Sequence, residues 1–139
     1  MLDVLEHVQD RQEILKEAGR VLAPLGHLIL TVPAHPGLWT RHDDSNHHLL
    51  RYSRGSLLKE LSQAGFTPER TRFLFHGLVI PKVFVRLKES MGFVSHSTPR
   101  LPPGPFNNAA FAIMRAENAL LSPLRLPFGT SLMVTARLR

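Results

Sequence analysis

With 139 residues, 43% of them hydrophobic, the chain is long enough for one domain with a packed core and too apolar to be disordered. It has no cysteine, which excludes disulfides and thiolate metal centres and is compatible with a reducing compartment. The net charge of +6 is uneven, with five acids against three bases in residues 1–25 and seven bases against two acids in residues 86–139. Those late bases are scattered and not in a run, which is the pattern of a solvated surface more than of a phosphate-binding stripe. No stretch reaches the roughly 18–20 uninterrupted apolar residues of a membrane span, and no basic segment leads into an apolar run as in a signal peptide.

In chain order, "MLDVLE" is apolar enough for a buried strand. Asp10 with Glu13 three residues on reads as a helix N-cap, and Ile14, Leu15, Ala18, Val21 and Leu22 share one helical face. Pro24 and Gly26 stop that helix. "HLILTV" at 27–32 is the clearest strand, too apolar to be exposed on both faces.

A long loop follows, 33–52, holding the single Trp, the single Tyr and four histidines. Loops of this length are usually functional. Ser53 caps a second helix that ends at Gly65, a C′ glycine. "FTPERTRFLF" predicts a strand, and "LVIPKVFVRLKES" predicts a helix with Pro81 in its first turn. Residues 92–105, with four prolines, read as a loop. "NNAAFAIMRAENALLS" predicts a helix capped by Asn107 or Asn108, and "SLMVTARLR" a final strand. Strands alternating with helices predict an α/β layer architecture with a largely parallel sheet.

The ordered set "DVLEHVQDRQEILKEAGRVLAPLGHLILTVPAHPGLW" and then "LSQAGF" at 61–66 resembles the second half of class I S-adenosylmethionine-dependent methyltransferases, the Rossmann-like group that includes methyltransferase types 11 and 12. The helix-end triplet is Pro24-Leu25-Gly26, with leucine where that group usually has a glycine. The loop "TVPAHPGLWTRHDDSNHHLLRYS" is similar to a bacterial subgroup, matching at Pro33, Ala34, Pro36, Leu38, Trp39, His42, Asp43, His48, Arg51 and Tyr52 and departing at Leu50, where the subgroup has a second basic residue. The resemblance implies the C-terminal half of the methyltransferase sheet, strands 4 to 7 with flanking helices. The N-terminal strands and the glycine-rich cofactor turn are then missing, because no G-x-G spacing occurs here. Residues 1–139 are accordingly expected to be a partial domain, with a substrate-side loop at 33–53.

The same resemblance implies S-adenosylmethionine as cofactor, with Leu2, Asp3 and Glu6 beside it, and methyl transfer to a small or lipid-linked acceptor. The truncated chain is not expected to be competent alone. Ligands in open α/β sheets lie beyond the carboxyl ends of the strands, so the loop after "HLILTV" is where a base belongs. His42, with Asp43 as partner, and His48 are the catalytic candidates, since an imidazole with a neighbouring carboxylate suits a base working near neutral pH. His35, Trp39, Arg51 and Tyr52 are the substrate-side candidates.

Some related O-methyltransferases bind magnesium through an acid-x-x-Glu-His set, which here is Asp3, Glu6 and His7. Histidine is an unusual magnesium ligand, so polar contacts are expected there and no metal. The loop histidines lack the spacing of a zinc pair. Lys82, Arg86 and Lys88 among apolar residues of 73–88 would suit a membrane-surface helix, and a helix covering the substrate side of the sheet is the plainer reading. The location expected is cytoplasmic, peripheral to the inner membrane face at most. Alternative functions are a noncatalytic half-domain pairing with another chain, or a basic surface binder; nucleic acid is not expected, because no clustered basic and aromatic motif is present.

Overall fold

The computed structural model describes residues 1–92, 104–121, 124 and 126–139, the side chain of Asn118 excepted. Among these residues five helices and three strands follow in the order α1 (Arg11–Val21), β1 (His27–Pro33), α2 (Arg41–Ser45), α3 (Arg54–Gln63), β2 (Phe66–Leu74), α4 (Val79–Ser90), α5 (Gly104–Leu121) and β3 (Ser131–Leu138), with 3₁₀ turns at Leu5–His7 and Pro36–Leu38. The expected α/β class is observed. The expected largely parallel sheet is not. The strand order is β1-β3-β2, and β3 runs antiparallel to both neighbours. The last strand inserts between the first two, so β1 and β2 share a direction without touching as a ladder.

The sheet is one-sided. Leu28, Leu30 and Val32 of β1 and Leu132, Val134 and Ala136 of β3 alternate into the core, where they meet Leu15 of α1, Leu57 and Leu61 of α3, and Phe66. Ile29, which a doubly buried strand would hide, is 49% exposed. Arg11 Nε donates to Glu60 Oε1 at 2.8 Å and Gln12 Nε2 to the Glu60 carbonyl at 3.0 Å, which locks α1 to α3. Pro68, with no N–H for the ladder, sits at a register shift in β2, an edge strand where this is tolerated.

Residues 1–6 are not the strand expected of them. Met1 to Asp3 do pair with β1, through Met1 N to Ile29 O (2.7 Å), Thr31 N to Met1 O (3.1 Å) and Asp3 N to Thr31 O (3.0 Å). Only Leu2 forms a parallel bridge, with Thr31. Asp3 then takes a φ of 49° and turns the chain out of the sheet into the 3₁₀ turn.

Caps follow the sequence closely. Asp10 accepts from Glu13 N, Ser53 accepts from Ser56 N, and Gly65 has a φ of +88° just past α3. Helix α5 begins at Gly104, before the asparagines expected to cap it. The 92–105 loop falls mostly outside the described residues. Helix α4 has no buried residue, and α5 is tied back through Glu117, whose Oε1 accepts from the His76 N–H. Among the described residues no helix is long and apolar enough to cross a membrane.

Leu25 also has a left-handed backbone, φ 64°, and its side chain is 88% exposed. A non-glycine residue there carries steric strain of roughly 1–2 kcal/mol with no burial to offset it. Leu25→Gly is therefore expected to stabilise the fold by about 1 kcal/mol, after the larger unfolded-state entropy of glycine is deducted. A higher urea midpoint at unchanged slope checks this.

Candidate functional site

The loop expected to carry the chemistry is folded around one carboxylate. Thr40 and Asp43 close a capping box on α2, with Thr40 N donating to Asp43 Oδ2 at 2.9 Å and Thr40 Oγ1 to the same atom at 3.1 Å. Asp43 Oδ1 accepts from Arg51 Nε at 2.8 Å and lies 2.9 Å from His48 Nδ1. A carboxylate only accepts, so His48 Nδ1 carries a proton and donates it to Asp43. Arg51 Nη1 donates to Ala34 O at 2.9 Å. From α4, Lys82 Nζ donates to Thr40 Oγ1 at 2.8 Å and to Asp43 Oδ2 at 3.3 Å.

Burial works to raise the Asp43 pKa. The bonds from Arg51, the Thr40 backbone and His48 outweigh it and hold the carboxyl well below the usual range. Burial, then the nearby Arg51 charge, lowers the Lys82 pKa.

Beside this scaffold lies a cleft of about 610 Å³, at the carboxyl end of β1. Its polar lining comes chiefly from Asp3, Glu6, His42, His48, Arg51 and Lys82, and Leu78, Pro81 and Val85 supply an apolar wall. Glu6 is completely buried, and neither carboxylate oxygen has a hydrogen-bond partner. Burial pushes its pKa up. The Leu49 N–H donates to the Glu6 carbonyl at 2.7 Å, which brings the end of the loop onto the 3₁₀ turn.

The site residues expected from sequence are distributed unevenly. Asp3, Glu6, His42, His48 and Arg51 reach one cleft. Leu2 stands at the adjoining sheet edge, 66% exposed. Asp43 is at the centre but is paired with His48 and Arg51, not with His42, whose Nε2 lies 2.9 Å from Asn46 Nδ2. Arg51 is committed to Asp43 and Ala34.

Three of the substrate-side residues are elsewhere. Tyr52 packs in the core, and burial raises its pKa. Trp39 Nε1 donates to Asp44 Oδ1 at 2.9 Å. His35 stacks on Phe73 with centroids 5.1 Å apart, in a separate depression along β2.

Sequence reading missed Thr40 as part of the site and placed Lys82 on a helix covering the substrate side of the sheet without naming it as a site residue. The T-x-x-D spacing was a legible sign of the first. Nothing local marks Lys82, because its partner is 39 residues away.

No protein-family model and no curated protein matches the chain. Solved structures do. One is in the complex between the Haloferax volcanii Trm112 methyltransferase activator and a methyltransferase, with TM-score 0.51, 14% identity, and coverage of 99% of this chain and 51% of that one. Another is Haemonchus contortus phosphoethanolamine N-methyltransferase 2 in complex with S-adenosyl-L-methionine, with TM-score 0.52, 12% identity, and coverage of 99% and 32%. A third is a Galdieria sulphuraria protein described as a sarcosine dimethylglycine methyltransferase, with TM-score 0.50, 19% identity, and coverage of 98% and 50%. At these identities the likeness is one of fold, and the chain spans about half or less of each structure's length.

Proposed function

We propose, from the class I S-adenosylmethionine-dependent methyltransferase fold that this chain has, that it serves methyl transfer to a small or lipid-linked acceptor held in the cleft beside β1. The observation that carries this reading is the cleft itself. It lies beyond the carboxyl end of a strand, where open α/β sheets take their ligands, and it combines an acidic edge with an apolar wall.

S-adenosylmethionine, when bound, supplies an activated methyl group on a sulfonium. The protein then needs only to align the acceptor and to receive its proton. Leu2 and Asp3 are the residues proposed for the cofactor side, because they stand at the sheet edge next to the cleft. His42 is proposed as the proton acceptor. Its Nε2, as the acceptor of the Asn46 amide N–H, is the basic nitrogen of the ring, and an acceptor hydroxyl or amine that displaces Asn46 meets that lone pair. Asp43 and Arg51 are positioning residues that hold the loop. Leu78, Pro81 and Val85 suit the apolar part of an acceptor.

The glycine-rich turn that would cradle the methionine end of the cofactor does not occur in these 139 residues. We therefore propose that the cofactor site is shared with a further segment, docked along the exposed edge at Leu2.

Saturation-transfer NMR with S-adenosylmethionine tests the reading, because it detects millimolar contacts. Transfer to adenine or ribose protons is expected from the wild-type chain and should vanish in Leu2→Arg. No transfer at any concentration, from a chain that unfolds cooperatively, would overturn the assignment of this edge to the cofactor.

A further inference from the structure

We infer that Glu6, His7 and His48 form a binding site for a divalent transition-metal cation. The inference stands without the methyl-transfer reading. The three residues each present one ligand atom, all within 4.8 Å of one another. Two neighbours on a 3₁₀ turn and one residue 41 positions later are brought together by the Leu49 N to Glu6 O bond. The His7 and His48 rings meet edge to face with centroids 4.8 Å apart. Metal–ligand bonds of about 2.0–2.2 Å require the ligand atoms to draw together, and the exposed His7 ring is free to move.

Glu6 is the independent sign of a ligand. An ionised carboxylate that is completely buried is costly unless something pairs with it, and both its oxygens are without a hydrogen bond. The nearest guanidinium does not supply that pairing, since Arg51 Nε and Nη1 are bonded to Asp43 and Ala34. A cation between Glu6 and the two imidazoles would.

His48 is prepared for the role. Its Nδ1 donates to Asp43, which leaves Nε2 as a lone-pair donor and makes Asp43 the outer carboxylate that orients a metal-bound histidine. Two imidazoles with one carboxylate suit zinc, manganese, iron, cobalt or nickel, whereas magnesium prefers an all-oxygen shell. Three protein ligands leave positions for water or for a ligand in the cleft, which Glu6 and His48 both line.

Cobalt(II) is the probe. The full chain, dialysed against chelator, is titrated with Co²⁺ by calorimetry and by visible absorption. One-to-one binding with a d–d band is expected. Glu6→Gln, His48→Gln and His7→Ala should each weaken it by at least about tenfold. Asn46→Ala, outside the cluster, should leave it unchanged, and millimolar Mg²⁺ should not compete. His7 is exposed, so His7→Ala keeps the fold and isolates the ligand effect. Absence of binding, binding that His7→Ala and Glu6→Gln both leave intact, or full displacement by Mg²⁺ would each overturn the assignment.

Discussion

Replacing Asp43 by asparagine is expected to destabilise the fold by about 3–5 kcal/mol, the range for removing one partner of a buried ion pair. Asp43 is completely buried and Arg51 is 8% exposed, so water cannot stand in for the lost charge. The carboxylate takes bonds on both oxygens, from Arg51 and His48 on one and from Thr40 and Lys82 on the other. An asparagine keeps one acceptor oxygen and turns an N–H₂ either toward Arg51 Nε or toward the Thr40 N–H and Lys82 Nζ, none of which can accept from it. Arg51 and Lys82 would then face each other without a counter-charge. The measurement is the urea midpoint at constant slope. Asp43→Leu combined with Arg51→Met should cost less than the sum of the two single changes, because the double variant leaves no orphaned charge at this pair. Equal stability of Asp43→Asn and wild type would mean that the loop is not held through this carboxylate.

Phe66→Ala should be comparably damaging, about 3–5 kcal/mol, for a different reason. Phe66 is completely buried where α3 hands over to β2, and it pairs with Leu138 of β3. Its ring tip lies 3.5 Å from where a Cβ on Gly19 would stand, so it fills the space that glycine leaves on α1. The Arg11–Glu60 bridge and the β2–β3 ladder limit how far the elements can close over the cavity. Phe106→Ala is the control. That ring is 72% exposed on α5, and its removal should stay within about 0.5 kcal/mol of wild type. The contrast, read from two denaturation curves, tests whether the core lies where the one-sided sheet puts it.

Much of the architecture was legible because it is local. Asp10 and Ser53 were recognisable as caps from their side-chain chemistry, Gly65 as a C′ residue, and β1 and β3 as strands from their apolar patterning. The resemblance to methyltransferases rested on the order of such local features, and the structural likeness agrees with it at the level of fold. The errors were of another kind. "MLDVLE" has strand composition, yet a turn at Asp3 limits its pairing to the first residues. The sheet was expected to be largely parallel because helices alternate with strands, and that pattern does not record which strand the last one joins. Helix α4 was read as a cover on the substrate side of the sheet, with no sign in the sequence that Lys82 reaches Asp43.

The candidate site divides in the same way. Residue types and spacing pointed to the loop after β1, with its histidines and Asp43, as the candidate site, and the resemblance pointed to Leu2, Asp3 and Glu6. Only the tertiary structure decided which of them touch. Asp43 meets His48 and Arg51 and not His42, because side chains of adjacent helical residues diverge and the chain returns to Asp43 only after α2 ends. Tyr52 and His35 left the site, since the parallel bridge of Ala34 with Tyr52 carries both onto the core side and the β2 side of the sheet. Lys82, 39 residues beyond Asp43, entered it. Short-range geometry follows from the order of residues, whereas the pairing of distant charges depends on how the elements between them pack.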